Sequence, residues 1–186
     1  MSAIRALLFD YEGVLSPHEE RAAQLAALEA GWGLEPGALL TALRKIGPYE
    51  GYLLGRFPEG EYWEVVARAL DGRVRAQELR QALLALERVD ARLVRLVQQL
   101  AGRYRVALFT NAPPSFEEEV LRGRLQLDGL FDAVITSGSV GVVKPYPGIY
   151  RFALERLFVA PEECVLVDDE ERHLTAARSQ RIRGVL

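Results

Sequence analysis

Four short apolar runs, each followed by polar or acidic residues, constrain the fold of this chain more than any other feature. They are IRALLF (4–9), YRVALFT (104–110), AVITS (133–137) and CVLVDD (164–169), and a final RGVL follows at 183–186. Continuous short apolar runs are typical of strands buried on both faces of a sheet. Helical patterns separate most of them, at the spacing of crossover connections between parallel strands. The sequence predicts an α/β fold with a Rossmann-like parallel sheet.

One interval departs from this alternation. From Ser16 to about Arg88 the pattern is helical with breaks and carries no strand signal, so it predicts an all-helical insertion after the first strand. Ser16, Pro17 and Glu19 resemble a helix start, with a serine cap and proline at the first helical position. The expected division is a core of residues 1–15 and 89–186 and a helical insertion of residues 16–88.

The polar residues that end the strands are the candidate functional residues. Asp10 and Glu12 follow the first strand, Thr110 and Asn111 end the second, Lys144 lies after the third, and Asp168 and Asp169 follow the fourth. In open parallel sheets, ligands bind beyond the carboxyl ends of the strands. We therefore expect these side chains to form one site.

The chemistry of this set favours a divalent cation and phosphoryl transfer. Four carboxylates and one lysine leave excess negative charge, which a cation would offset, and carboxylate oxygens suit Mg²⁺. In such a site Asp10 would attack phosphorus, Thr110 would hold the phosphoryl oxygens, and Lys144 and the metal would offset their charge. Glu12 would then move protons.

Composition narrows the partners and the location. The formal charge is −3 and acids and bases are interleaved, so we expect no nucleic-acid partner. No window approaches eighteen apolar residues, and the apolar N-terminal segment is broken by Arg5, so we expect neither a membrane span nor a leader. A single cysteine, Cys164, allows no intramolecular disulfide, so nothing indicates an oxidising compartment and we expect a cytoplasmic protein. We expect it to be a monomer or a homodimer. The scarcity of lysine and asparagine fits a GC-rich genome or a thermophile.

Four motifs in order resemble the haloacid dehalogenase (HAD) superfamily over nearly the whole chain. They are FDYEGVL, LFTN, VKPYPGIYRFAL and CVLVDDEERHLTAAR. A segment of the insertion, GRFPEGEYW, is similar to one in the phosphatase domains of soluble epoxide hydrolases and related sugar-phosphate phosphatases. The resemblance identifies the insertion as a small helical cap that closes over the substrate.

The resemblance also implies a role for each matching residue. Asp10 would be the nucleophile that forms an aspartyl-phosphate, and Thr110 and Lys144 would bind the transferring phosphoryl group. Asp168, Asp169, Asp10 and the backbone carbonyl at Glu12 would hold Mg²⁺. Asn111 would contact substrate or brace its loop. The implied function is a Mg²⁺-dependent phosphatase acting on a small phosphorylated metabolite.

Two alternatives to the phosphatase remain open, and Glu12 and His173 motivate the first of them. Phosphatases of the superfamily usually have aspartate at this position, and the extra methylene moves the carboxyl group by roughly an ångström, a misplacement that can cost about 100-fold in rate. His173 also stands where relatives often have an asparagine that braces the acidic loop. A catalytically impaired fold that binds a ligand or a protein is the first alternative, and a 2-haloacid dehalogenase is the second.

Overall fold

The computed structural model has a single parallel sheet of five strands. It describes residues 3–186, except the side chains of residues 19 and 46. The strands are β1 (Ala6–Phe9), β2 (Arg105–Thr110), β3 (Ala133–Thr136), β4 (Cys164–Val167) and β5 (Arg183–Val185), in the order β3-β2-β1-β4-β5. All four neighbouring pairs are parallel. The predicted Rossmann-like α/β fold is confirmed.

The helices fall into two groups. Between β1 and β2 lie α1 (His18–Gly31), α2 (Ala38–Thr41), α3 (Tyr49–Leu53), α4 (Glu59–Ala69), α5 (Ala76–Ala85) and α6 (Ala91–Leu100). After β2 come α7 (Ser137–Val140), α8 (Pro147–Leu157) and α9 (Glu171–Ser179). A π-helical turn, Ala42–Ile46, extends α2, a π-helical segment spans Glu117–Leu125, and a 3₁₀ turn spans Pro161–Glu163.

Apolar side chains leave the sheet on both faces, which explains the uninterrupted apolar runs. On one face, Leu8 and Phe109 pack with residues of α8 and α9. On the other, Phe9 and Leu108 pack with Val97 of α6 and with the π-helical segment. The sheet is therefore the middle of three layers.

The helices α1 to α5 and the turns between them, which we call the helical segment, share a hydrophobic cluster that Val143, beyond β3, also joins. Its buried members include Leu39, Tyr62, Val66 and Leu79. From residue 17 to residue 90, a stretch whose backbone is described throughout, no strand forms. This agrees with the all-helical character expected there.

The predicted start of α1 is wrong in detail. The helix begins at His18, and Pro17 rather than Ser16 occupies the cap position. Ser16 is buried and belongs to the preceding turn, where its N–H donates to the Tyr11 carbonyl and its own carbonyl accepts from Gly13. These backbone bonds fix Ser16 one residue too early to cap the helix.

None of the helices formed by residues 3–186 combines the length and the apolar character needed to cross a membrane.

Candidate active site

The carboxyl ends of β1, β2 and β4 bring most of the predicted site residues to one cavity. Phe9 pairs in register with Val167, so Asp10 and Asp168 follow at adjacent positions of the sheet edge. The cavity measures about 420 Å³. Its lining includes Asp10, Glu12, Thr110, Asn111, Lys144 and Asp169 from the predicted set, together with His18, Arg44, Tyr49 and His173.

Asp10 is buried and held at both carboxylate oxygens. The Tyr11 N–H donates to Oδ1 at 2.7 Å, and Nζ of Lys144 lies 2.9 Å from Oδ2. Burial raises the pKa of Asp10 to about 6, and the neighbouring ammonium offsets that rise only in part. The carboxylate is thus fixed in orientation and poorly hydrated, as a nucleophile in a dry site would be.

Asp168 is completely buried and has more partners than Asp10. Its oxygens accept from Nζ of Lys144 at 2.7 Å and from the Glu170 N–H at 2.9 Å, and Nδ1 of His173 lies 2.9 Å from Oδ1. Burial alone would raise the pKa of Asp168, but the hydrogen bond with His173 and the charge of Lys144 lower it to about 2. Asp168 is therefore ionised at neutral pH.

Lys144 connects the two aspartates. Its side chain is almost completely buried, and its Nζ contacts both Asp10 and Asp168. Asn111 fixes the backbone of this residue, because its Oδ1 accepts from the Lys144 N–H at 2.7 Å and its Nδ2 donates to the Lys144 carbonyl at 3.1 Å. Of the two roles considered for Asn111, these hydrogen bonds are those of a loop brace.

Two predicted residues line the cavity but direct their carboxylates toward the helical segment. Oε1 of Glu12 lies 2.7 Å from Nη2 of Arg44, and Oδ2 of Asp169 lies 2.7 Å from Nε2 of His18. Arg44 and His18 both belong to the helical segment. In this arrangement, contacts with the helical segment decide where both acids point.

The donor set suits a divalent cation. Ligand atoms of Asp10, Asp168 and His173 lie within 4.8 Å of one another. Nε2 of His173 is buried and has no hydrogen-bond partner. Carboxylate oxygens match Mg²⁺, so the residues present fit this metal, and the imidazole adds a nitrogen donor beside them.

Four residues that line the cavity were missed or underrated from the sequence: His18, Arg44, Tyr49 and His173. Arg44 and Tyr49 had no distinguishing signal, because arginine and aromatic residues recur through the helical interval. His173 was expected to brace the acidic loop, and its hydrogen bond to Asp168 is such a contact. Its place in the cluster of possible metal ligands was not foreseen.

Comparison with known proteins identifies the family. Residues 4–180 match the haloacid dehalogenase-like hydrolases. The phosphoserine phosphatase of Thermus thermophilus is 33% identical over 165 residues, which make up 86% of this chain and 63% of that protein. The (S)-2-haloacid dehalogenase 1 of a Pseudomonas species is 29% identical over 182 residues, 90% of this chain and 77% of that protein.

A solved structure shows the same fold at low identity. It is a HAD family enzyme of Bacteroides thetaiotaomicron in complex with magnesium and inorganic phosphate, with a TM-score of 0.77 and 18% identity over 98% of this chain and 93% of that one. The chain spans only 39, 63 and 40% of the length of three curated phosphatases that it matches. The match over residues 4–180 covers nearly the whole sequence. The chain therefore belongs to the haloacid dehalogenase-like hydrolase family.

Proposed function

We propose that this protein is a Mg²⁺-dependent phosphatase that hydrolyses a small phosphorylated metabolite through an aspartyl-phosphate. The observation that carries the proposal is the buried Lys144 ammonium, 2.9 Å from Asp10 and 2.7 Å from Asp168. It holds one carboxylate ready for attack and places a positive charge where phosphoryl oxygens would lie. Curated phosphatases among the relatives support the same reaction class.

In the proposed first step, an oxygen of Asp10 attacks phosphorus and the bond from phosphorus to the leaving oxygen breaks. Thr110, buried beside Asp10 at the end of β2, holds a phosphoryl oxygen, and Lys144 offsets its charge. In the second step, water attacks the aspartyl-phosphate, which releases phosphate and regenerates the Asp10 carboxylate. In the first step one proton moves to the leaving oxygen, and in the second step one proton leaves the attacking water.

Glu12 is the proposed proton carrier, since it lines the cavity two residues after Asp10. It would give its proton to the leaving oxygen and take one from the attacking water. Its Oε1 is paired with Arg44, so this ion pair must rearrange before Glu12 can act. Movement of the helical segment that carries Arg44 would supply that rearrangement.

Asp10, Asp168 and Asp169, with the backbone carbonyl of Glu12, are the proposed Mg²⁺ ligands, and His173 is placed to support or join them. When bound, the ion supplies positive charge that stabilises the transferring phosphoryl group. The same proposal assigns residues 16–88 to a cap domain over the site, and residues 1–15 and 89–186 to the core.

The test is hydrolysis of p-nitrophenyl phosphate and acetyl phosphate, with Mg²⁺ and with EDTA. Wild type should hydrolyse both compounds, the ester and the acyl phosphate, only with Mg²⁺. Asp10→Asn should lose activity by about a thousandfold or more, because no nucleophile remains. Asp128→Asn, a change at an exposed acid on the surface, is the matched control and should keep full activity.

Other outcomes would point to the alternatives. Undiminished activity in Asp10→Asn would exclude the aspartyl-phosphate route. Binding of Mg²⁺ with no hydrolysis of either compound by wild type would support an impaired fold whose role is binding. Metal-independent release of halide from 2-chloropropionate would support the dehalogenase reaction named for one relative.

A further inference from the structure

A second cavity extends the proposed phosphoryl site toward the helical segment. It measures about 190 Å³ and shares part of its lining with the first cavity: Glu12, Arg44, Tyr49, Leu53, Thr110 and Asn111. An apolar cavity of about 150 Å³ is large enough to hold benzene. A group attached to a phosphate in the first cavity would therefore have room for one ring in the second.

The far walls of the second cavity are largely apolar and aromatic. The helical segment contributes leucines and aromatic rings, among them Leu43, Tyr52 and Trp63, and the opposite wall contributes Phe116 and Val120. The Tyr52 ring stacks on Tyr62 with centroids 4.0 Å apart, and Trp63 meets Tyr52 edge-on at 5.7 Å. These stacked rings form a firm surface against which an apolar group can pack.

The arginines of the second cavity are all neutralised by partners in its own wall. Arg21 pairs with Glu87 at 2.8 Å, Arg44 with Glu12 at 2.7 Å, and Arg80 with Glu59 at 3.1 Å and also with Glu119. Among the described residues that line the cavity, four glutamates face three arginines. A carboxylate or a second phosphate would meet excess negative charge and no unpaired cation.

Several polar groups of this wall are already used as well. The Tyr11 hydroxyl donates to Glu87 at 2.6 Å, and the Tyr62 hydroxyl donates to the Leu43 carbonyl at 2.8 Å. A polyol would need many hydrogen-bond partners to replace water, and leaving its hydroxyls unpaired is costly. An apolar group carries no such cost.

We infer that the second cavity binds the leaving group, and that this group is a neutral, largely apolar alcohol about the size of one ring. The inference rests on the proposed phosphatase function and names its substrate class: monophosphate esters of such alcohols. It separates this protein from phosphatases whose substrates carry a carboxylate next to the phosphate.

Binding tests the inference without requiring turnover. Isothermal titration with Mg²⁺ present would compare benzylphosphonate with phosphonoacetate, two stable phosphonates that differ in carrying a phenyl ring or a carboxylate. The Kd of benzylphosphonate should be lower by about tenfold or more, the range in which an apolar pocket discriminates between groups. Equal affinities, or tighter binding of phosphonoacetate, would overturn the inference.

A pair of neighbouring variants tests the charge argument. Glu119→Gln removes a negative charge that pairs with Arg80 and keeps the size of the side chain. Arg80 can then pair with a ligand carboxylate, so the Kd of phosphonoacetate should fall by about fivefold. The Kd of benzylphosphonate should change by less than about twofold. Glu118→Gln is the matched control, since Glu118 is exposed and lies outside the cavity lining. It should leave both Kd values unchanged, and an equal effect of both variants would contradict the assignment.

Turnover separates this inference from the proposed function. With wild type and Mg²⁺, kcat/KM for benzyl phosphate should exceed that for phosphoglycolate and for glucose 6-phosphate by about tenfold. Faster hydrolysis of either competitor would overturn the inference and leave the phosphatase proposal intact. If no ester is hydrolysed but benzylphosphonate binds more tightly, the phosphatase proposal fails and the cavity assignment holds.

Discussion

At the residue scale, the charge balance of the site depends on Lys144. Asp10 and Asp168 are buried at adjacent strand ends, and the ammonium of Lys144 lies 2.9 Å from the first and 2.7 Å from the second. Two carboxylates this close and this dry repel each other strongly unless a cation lies between them. In the absence of metal, that cation is Lys144.

We expect Lys144→Met to lower the free energy of unfolding by about 3–5 kcal/mol, because it leaves buried carboxylates without their partner. The measurement is urea denaturation at about pH 7.5 in EDTA, which keeps divalent ions from compensating. A loss below about 1 kcal/mol would show that the aspartates do not need the lysine.

The chain provides its own control for this change. Lys45 is the only other lysine and is exposed, so Lys45→Met should change the unfolding free energy by less than about 0.5 kcal/mol. A similar loss in both variants would mean that methionine, rather than the lost ion pairs, destabilises the protein.

At the element scale, the turn between β1 and α1 connects the strand that ends at Asp10 to the helical segment. Gly13 in this turn has φ of +81°, a conformation that residues with a Cβ rarely adopt. A Cβ at this position would lie 2.3 Å from Oδ2 of Asp169 and 2.6 Å from Nε2 of His18. The glycine therefore leaves room for the Asp169–His18 contact.

Gly13→Ala should displace the Asp169 carboxylate and reduce p-nitrophenyl phosphate turnover by about tenfold or more, since misplacement of this size is costly in a catalytic site. Gly37→Ala is the matched control: its φ is +83°, and a Cβ there would meet nothing within 4 Å. Both variants should lose roughly 1–2 kcal/mol to the left-handed backbone, and Gly13→Ala should lose more in thermal unfolding because its Cβ also displaces Asp169 and His18. Equal activity in the two would show that Asp169 does not matter for turnover.

At the scale of the whole molecule, the helical segment and the sheet layers meet over the site. The hydrophobic cluster of the helical segment reaches the sheet layers through Val143, and polar contacts such as Arg80 with Glu119 and Arg44 with Glu12 also join the two parts. Polar contacts of this kind exchange readily with water, so opening and closing of the segment is compatible with the packing.

Binding of Mg²⁺ should stabilise the whole fold, because the proposed ligands come together only in the folded state. At a free Mg²⁺ concentration of about 100 times Kd the gain is about 2.7 kcal/mol, and each kcal/mol raises Tm by roughly 2–4 °C in a chain of this length. Circular dichroism melts with Mg²⁺ and with EDTA would measure the shift.

Asp168→Asn should lose most of this Mg²⁺-dependent rise in Tm, whereas Asp128→Asn should keep it. The quantity compared is the Tm with Mg²⁺ minus the Tm with EDTA for each variant, so a change in stability without metal does not affect it. An unchanged shift in Asp168→Asn would place the metal elsewhere.

The sequence by itself determined the class of fold and which strand ends meet at one edge of the sheet. Strands flanked by helices on both faces are apolar along their length, so four apolar runs could be recognised in the sequence. The polar residues at the ends of these runs include Asp10, Thr110 and Asp168. Because parallel strands end at one edge of a sheet, their convergence followed from the pattern alone. The helical character of the interval after β1 was equally readable.

Only the tertiary structure decided how these side chains are partnered. Arg44, His18 and the second cavity come from helices whose docking depends on packing far along the chain, which local periodicity does not encode. The same packing directs Glu12 toward Arg44 and Asp169 toward His18. It also neutralises each arginine of the second cavity with a glutamate distant in sequence. Burial and charge pairing are properties of the assembled fold, and the physical argument about substrate begins there.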